Sequence, residues 1–123
     1  AGPATLEGLV RVAIESLATR LDTPSGRSFL AIQRDRVVAS GEAWSFRSTT
    51  MRLIAAETEA LVADYGYDEA ELAERIRLAT QLLVHRLADR SREETLGTAL
   101  PREMVIETLV SAATSILTAG GQP

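Results

Sequence analysis

The chain contains no cysteine, lysine or asparagine and only one histidine, His85, among 123 residues. Without cysteine there can be no disulfide, thiolate nucleophile or cysteine metal site, which is compatible with a reducing cytoplasm. One histidine and no cysteine fall short of the ligand set that zinc requires, so neither a metal nor a cofactor is expected. All thirteen basic residues are arginine. With alanine abundant, that reads as the codon bias of a GC-rich genome, and it lowers the functional weight of any single arginine. A positive excess is missing too: thirteen basic against seventeen acidic residues give a formal charge of −4. A phosphate-gripping surface needs clustered positive charge, so direct contact with DNA is not expected of this chain. No apolar run approaches the roughly 20 residues that span a bilayer. No basic segment leads into an apolar core at the N-terminus, so no signal peptide is expected. The chain opens AGPA without an initiator Met, as a processed chain or a fragment would. There is also no glycine-rich phosphate loop, nucleophile elbow or HExxH. Catalytic residues are therefore not expected.

What is present is an ordinary globular composition, 46% apolar and 24% charged, enough for one domain over residues 1–123 with a real core. The spacing predicts an all-α bundle of about five helices. The first, about Ala4 to Leu21, carries Leu6, Leu9, Val10, Ala13, Ile14, Leu17 and Leu21 on one face, and Asp22-Thr23-Pro24 stops it. A weakly amphipathic second helix covers about Ser25 to Ser40. The third, about Ala43 to Tyr65, ends at Gly66, a left-handed cap position. Asp68 is placed to cap the fourth, about Glu69 to Arg92, with Glu71 as its capping-box partner. The fifth starts at Pro101 and ends before Gly120.

The fourth helix has two apolar faces. At about 100° per residue, Leu72, Ile76, Ala79, Leu83, Val84 and Leu87 cluster on one side as the core contact. Leu78, Leu82 and His85 lie nearly opposite. A surface helix of a monomer needs one apolar face, so the second stripe asks for a second partner. The fifth helix has surplus apolar surface as well, from Val105, Ile106, Leu109, Val110, Ala112, Ala113, Ile116 and Leu117. Together they point to a two-fold, four-helix homodimer contact through Leu78, Leu82, His85, Val105, Leu109, Ala112 and Ile116. The competing reading is a larger monomeric bundle with both stripes internal.

YDEAELAERIRLATQLLVHRLADRSRE, a Pro-started helix and MVIETLVSAATSILTA resemble the end of TetR-family transcriptional regulators of the actinobacterial kind. The upstream LEGLVRVAIESLATRLDTPSGRSFLAIQRD is similar to earlier helices of the same ligand-binding and dimerisation domain, so the resemblance covers nearly the whole chain. It implies an all-helical effector-binding domain whose last two helices pair with their symmetry mates, a pocket for a small apolar or amphipathic effector, and a cytoplasmic location. The family's N-terminal helix-turn-helix head is absent from this chain. DNA would be reached only through such a head, and no membrane is implied.

For His85 the reading that weighs most is an interface or surface residue, with Asp89 at i+4 as a helix-surface partner, ahead of a pocket or chemical role. Trp44, Arg47 and Met51 share a face at i, i+3 and i+7, on a helix the resemblance places beside the pocket. Trp gives an apolar wall, Met adapts, and Arg could hold an anion. The plainer reading, a core aromatic with a snorkelling arginine, weighs more. Phe29, Ile32, Gln33 and Ile54 complete the candidate ligand-binding set. Arg75, Arg77, Arg86, Arg90 and Arg92 interleave with Glu71, Glu74, Asp89, Glu93 and Glu94, which reads as a solvated, salt-bridge-laced surface. The alternatives to a TetR-like module are a small helical enzyme using Arg47 on an anionic metabolite, or a ligand-free helical dimerisation domain.

Overall fold

The computed structural model describes residues 5–40 and 49–121. Within them lie five α-helices and no strand: α1 (Leu6–Ala18), α2 (Pro24–Ser40), α3 (Thr49–Val62), α4 (Glu69–Leu96) and α5 (Arg102–Thr118). An all-α bundle is what the spacing predicted.

The helix ends follow local chemistry. Thr5 caps α1 by accepting the Gly8 amide through its hydroxyl at 3.0 Å, and Asp68 caps α4 by accepting the Glu71 amide at 2.8 Å. The Glu71 side chain turns instead to Arg75, at 2.9 Å. The first helix does not run unbroken to Leu21: its last residues, Thr19–Asp22, tighten into a 3-10 turn, bringing Leu21 into the core at 1% exposure. Residues 43–48, expected to open the third helix, lie outside the described residues. The fourth helix runs four residues past Arg92, to Leu96. It stops where Gly97 adopts φ 74° and donates to the Glu93 and Glu94 carbonyls, a left-handed position that glycine fills without a Cβ penalty.

Cross-helix bonds give the directions. Arg11 meets Glu107 and Asp22 meets Arg102, so α1 and α5 are antiparallel. Arg27 meets Glu94 and Arg34 meets Asp89, so α2 and α4 are antiparallel. Arg75 donates to the Ile116 carbonyl and Arg90 to that of Leu100, making α4 and α5 an antiparallel hairpin. α4 lies between α2 and α5, while α1 packs on α5 and α3. The core sits among these helices, with Ile14, Leu21, Leu30, Val62, Val84, Leu87 and Val110 all but sealed from water. On α4 the predicted core stripe is where the periodicity put it: Ile76, Ala79, Leu83, Val84 and Leu87 are buried, and Leu72 is half-buried.

The junction between the 3-10 turn and α2 needs one glycine for space. A Cβ on Gly26 would fall on the Arg20 carbonyl. The Gly26 amide also donates to the Thr23 hydroxyl at 3.0 Å, which caps α2. Closing this corner brings Arg27 over the end of α4.

Candidate functional site

The outer face of the α4–α5 hairpin holds two adjoining apolar grooves that share Leu82. One, of about 410 Å³, is lined by Leu78, Gln81, Leu82, His85 and Ile116. The other, of about 240 Å³, runs along α5 past Leu100, Met104, Thr108 and Ala112, with Arg86 at its rim. Leu78, Leu100 and Met104 are 46%, 55% and 53% exposed, a run of large apolar side chains left in water on one side of one hairpin.

The seven residues expected at an interface divide in two. Leu78, Leu82, His85, Ala112 and Ile116 are exposed or half-buried on this face. Val105 and Leu109 are 6% and 4% exposed. They belong to the chain's own core and form the floor of the second groove. The wide apolar arc of α5 accounts for this, since one side of the arc packs on α1 and α4 and leaves the other free.

His85 is half-buried and makes no hydrogen bond or ion pair among the described residues. Asp89, its expected partner, instead accepts from Arg34 on α2 at 2.9 Å. Among the described residues no cluster of His, Asp or Glu could hold a metal ion.

The expected ligand-binding set is only partly visible. Trp44 and Arg47 lie outside the described residues, as do the side chains of Met51 and Ile54. Phe29 is half-buried beneath the Arg20 guanidinium, 4.6 Å from its ring centre. Gln33 is buried at 5% and Ile32 is 56% exposed. The bundle holds a small apolar void of about 20 Å³ lined by Val10, Ala13, Thr58, Ala79, Leu83, Ala113 and Leu117. That is room for about one water, against the roughly 300–1,000 Å³ of a small-molecule pocket.

The charged run on α4 is less solvated than its composition implied. Arg75, Arg77 and Arg86 do pair along the helix with Glu71, Glu74 and Glu93. Arg90, however, is buried at 5%, and the Glu94 side chain is 14% exposed. Positions 83, 87, 90 and 94 continue the inner stripe at 3-4 spacing, so both residues point inward. Glu94 is the hub of this end of the bundle. It accepts from Arg90 Nε at 2.7 Å, from Arg102 Nε and Nη2 at 2.7 and 2.9 Å, and from Arg27 Nη2 at 2.9 Å. Arg102 reaches on to Asp22 at 2.7 Å. Arg27 also donates to the Leu21 and Ser91 carbonyls. The Arg102 hydrogen bonds, with the one from Arg90, hold the Glu94 carboxyl down at about 2 against the cost of its burial. The same contacts to Glu94 and Asp22 raise the pKa of Arg102. The 3-4 spacing of Arg90 and Glu94 from Leu83 and Leu87 was the signal for this hub, and reading charge as surface hid it.

A third groove, of about 370 Å³, opens between α2 and α4 beside Arg27, Arg34, Asp35, Ser91, Arg92 and Thr95. Two of its three arginines are already bound to Glu94 and Asp89, so it holds little uncommitted positive charge for an anion. Comparison with family models, curated proteins and solved structures finds no match to the chain.

Proposed function

We propose that this chain is the homodimerisation and effector-binding domain of a TetR-like transcriptional regulator. A second copy covers the α4–α5 face. One observation carries the reading: α4 has a complete inner stripe in the core and a second apolar stripe in which, among the described residues, Leu78 is exposed and Leu82 and His85 are only half-buried. The size of the face supports a self-pairing contact. At 1.5 Å per residue the 17 residues of α5 extend about 25 Å, and two helices about 10 Å apart give roughly 500 Å² per copy. Two copies then bury on the order of 1,000 Å², the threshold for a specific interface. The charges beside it are balanced, since Arg86 is paired with Glu93 and Arg77 with Glu74. A second identical face is therefore not repelled.

In such a regulator an effector acts by linkage. It favours one arrangement of the early helices and so biases the spacing of two DNA-binding heads, one per copy. A second reading is a dimerisation domain with no ligand, which suits the void of about 20 Å³ that the described residues enclose.

Leu82→Glu tests the pairing. It places a charge in the outer stripe, on a half-buried side chain that also borders the core, and the expected product is a monomer by light scattering that keeps its helicity by circular dichroism. A mutant that stays dimeric places the interface elsewhere. Titration with apolar and amphipathic carboxylates, followed by thermal unfolding, separates the two readings. A concentration-dependent rise in Tm supports an effector domain, and no rise with any of them supports the ligand-free one.

A further inference from the structure

We propose that the second copy lies with its α4 antiparallel to that of the first, held in register by Glu74 of each copy against Arg92 of the other. This rests on the pairing proposed above and fixes its orientation.

Glu74 and Arg92 are exposed towards the two ends of the outer stripe of α4. They are 18 residues apart in the sequence. That is five whole helical turns, so both project in one direction, about 20° from His85 and about 40° from Leu78. Each charge is largely uncommitted. Glu74 reaches Arg77 only at 4.0 Å. Arg92 makes no hydrogen bond or ion pair among the described residues, not even with Asp35 on the same α2–α4 groove. The chain cannot join the two to each other, since at 1.5 Å per residue they stand about 27 Å apart.

A face that pairs with its own copy has two two-fold arrangements. With the axis along the helices, α4 lies over α5 of the second copy. The groove there is lined by Leu100, Met104, Thr108 and Ala112, all uncharged, and neither end of α4 finds its opposite. With the axis across the helices, α4 lies antiparallel on the second copy of itself, and each end of the stripe meets the other end.

Glu74 and Arg92 stand nine residues to either side of Leu83, so an axis level with Leu83 sets both ion pairs opposite at once. The same register lays Gln81 against His85 of the second copy. Neither side chain has a hydrogen bond among the described residues, and both line the first groove. Each gains a partner in the middle of an apolar contact, where an unpaired polar group is costly. Sliding the copies until Leu78 meets His85 instead sets Glu74 level with Asp89, acid against acid. The apolar stripe supplies the area of the contact, and the charges select its direction and register.

The test is a charge swap read by sedimentation equilibrium, with circular dichroism to follow the fold. Glu74→Arg alone and Arg92→Glu alone each set like charges opposite one another twice per dimer. Either should raise the dimer Kd about tenfold at low salt with unchanged helicity. The chain carrying both changes should return to within about threefold of the parent. The two positions are too far apart to meet within one chain, so that recovery reports contact between copies. Asp35→Asn should leave the Kd unchanged. Single changes without effect, or a doubly changed chain that pairs no better than either single one, overturn the inference and leave the pairing standing. So does an Asp35→Asn effect as large as that of Arg92→Glu, which places the partner of Arg92 within its own chain. A parent chain that is monomeric at every concentration overturns the pairing and this inference together.

Discussion

The two ends of the same helix solve opposite problems. Near its C-terminus α4 buries charge: Arg90 and Glu94 lie in line with Leu83 and Leu87, and Arg27 and Arg102 close around the carboxylate. Along its middle, on the opposite side, it exposes apolar surface at Leu78 and leaves Leu82 half-buried at the edge of a groove that no described residue fills. A buried charge with its bonds satisfied marks a junction completed within the chain. An exposed apolar stripe with nothing over it marks a junction left open. Satisfaction of each group, rather than its polarity, separates the internal contact from the candidate external one.

The largest effect should come from emptying the hub. Glu94→Ala leaves Arg90 buried beside Arg27 and Arg102 with no anion between them. Removing one partner of a buried pair strands the other charge, so a loss of about 3 kcal/mol is expected in urea unfolding. Glu94→Gln keeps the shape but not the charge and should lose less. If Glu94→Ala unfolds like the parent chain, the hub is solvated and the contrast with the outer stripe collapses.

Next comes the corner that aims Arg27 at the hub. Gly26→Ala drives a Cβ into the backbone carbonyl of Arg20, which can yield only by moving the 3-10 turn against α2. A loss of about 1–3 kcal/mol is expected, as for overpacking elsewhere. Gly66→Ala is the comparison, since it carries the strain of φ 82° but meets nothing in space. A Gly26→Ala chain as stable as its parent would show that the turn gives way freely.

These sites also mark what was and was not legible in the residues alone. The five helices and the two-faced α4 were legible, because a 3.6-residue period in apolar side chains survives without coordinates. Gly97 is as clear a stop as Gly66, yet the run of charges before it disguised four more helical residues. The hub was readable only by carrying the stripe past Leu87 into polar residues, against the expectation that arginine and glutamate face water. Val105 and Leu109 share a broad apolar arc with Ala112 and Ile116, and spacing cannot say where on such an arc the core ends. The need for Gly26 depends on where the Arg20 carbonyl falls, which no local pattern encodes.

The pH dependence of stability sharpens the comparison from another side. The Glu94 carboxyl falls from the ordinary 4.5 to about 2 on folding. Its contribution is complete above about pH 4.5 and is lost as pH drops toward 2, where the folded chain takes up the proton. Urea midpoints measured across that window should fall more steeply for the parent chain than for Glu94→Gln. Equal slopes would mean that other carboxylates carry the acid sensitivity.

The smallest effect is expected at a bridge that resembles the hub on paper. Arg11 and Glu107 join α1 to α5 through two hydrogen bonds, a bidentate pair like that between Arg102 and Glu94. The same hydrogen bonding lowers the pKa of Glu107 and raises that of Arg11. Glu107 is exposed, however, and water and salt screen what the two groups feel. Both charges are well solvated when parted, so neither is stranded by loss of the other. Glu107→Gln should therefore leave the urea midpoint within measurement error of the parent at physiological salt. A clear loss there, comparable with that of Glu94→Gln, would mean that bond geometry rather than burial sets the worth of these pairs.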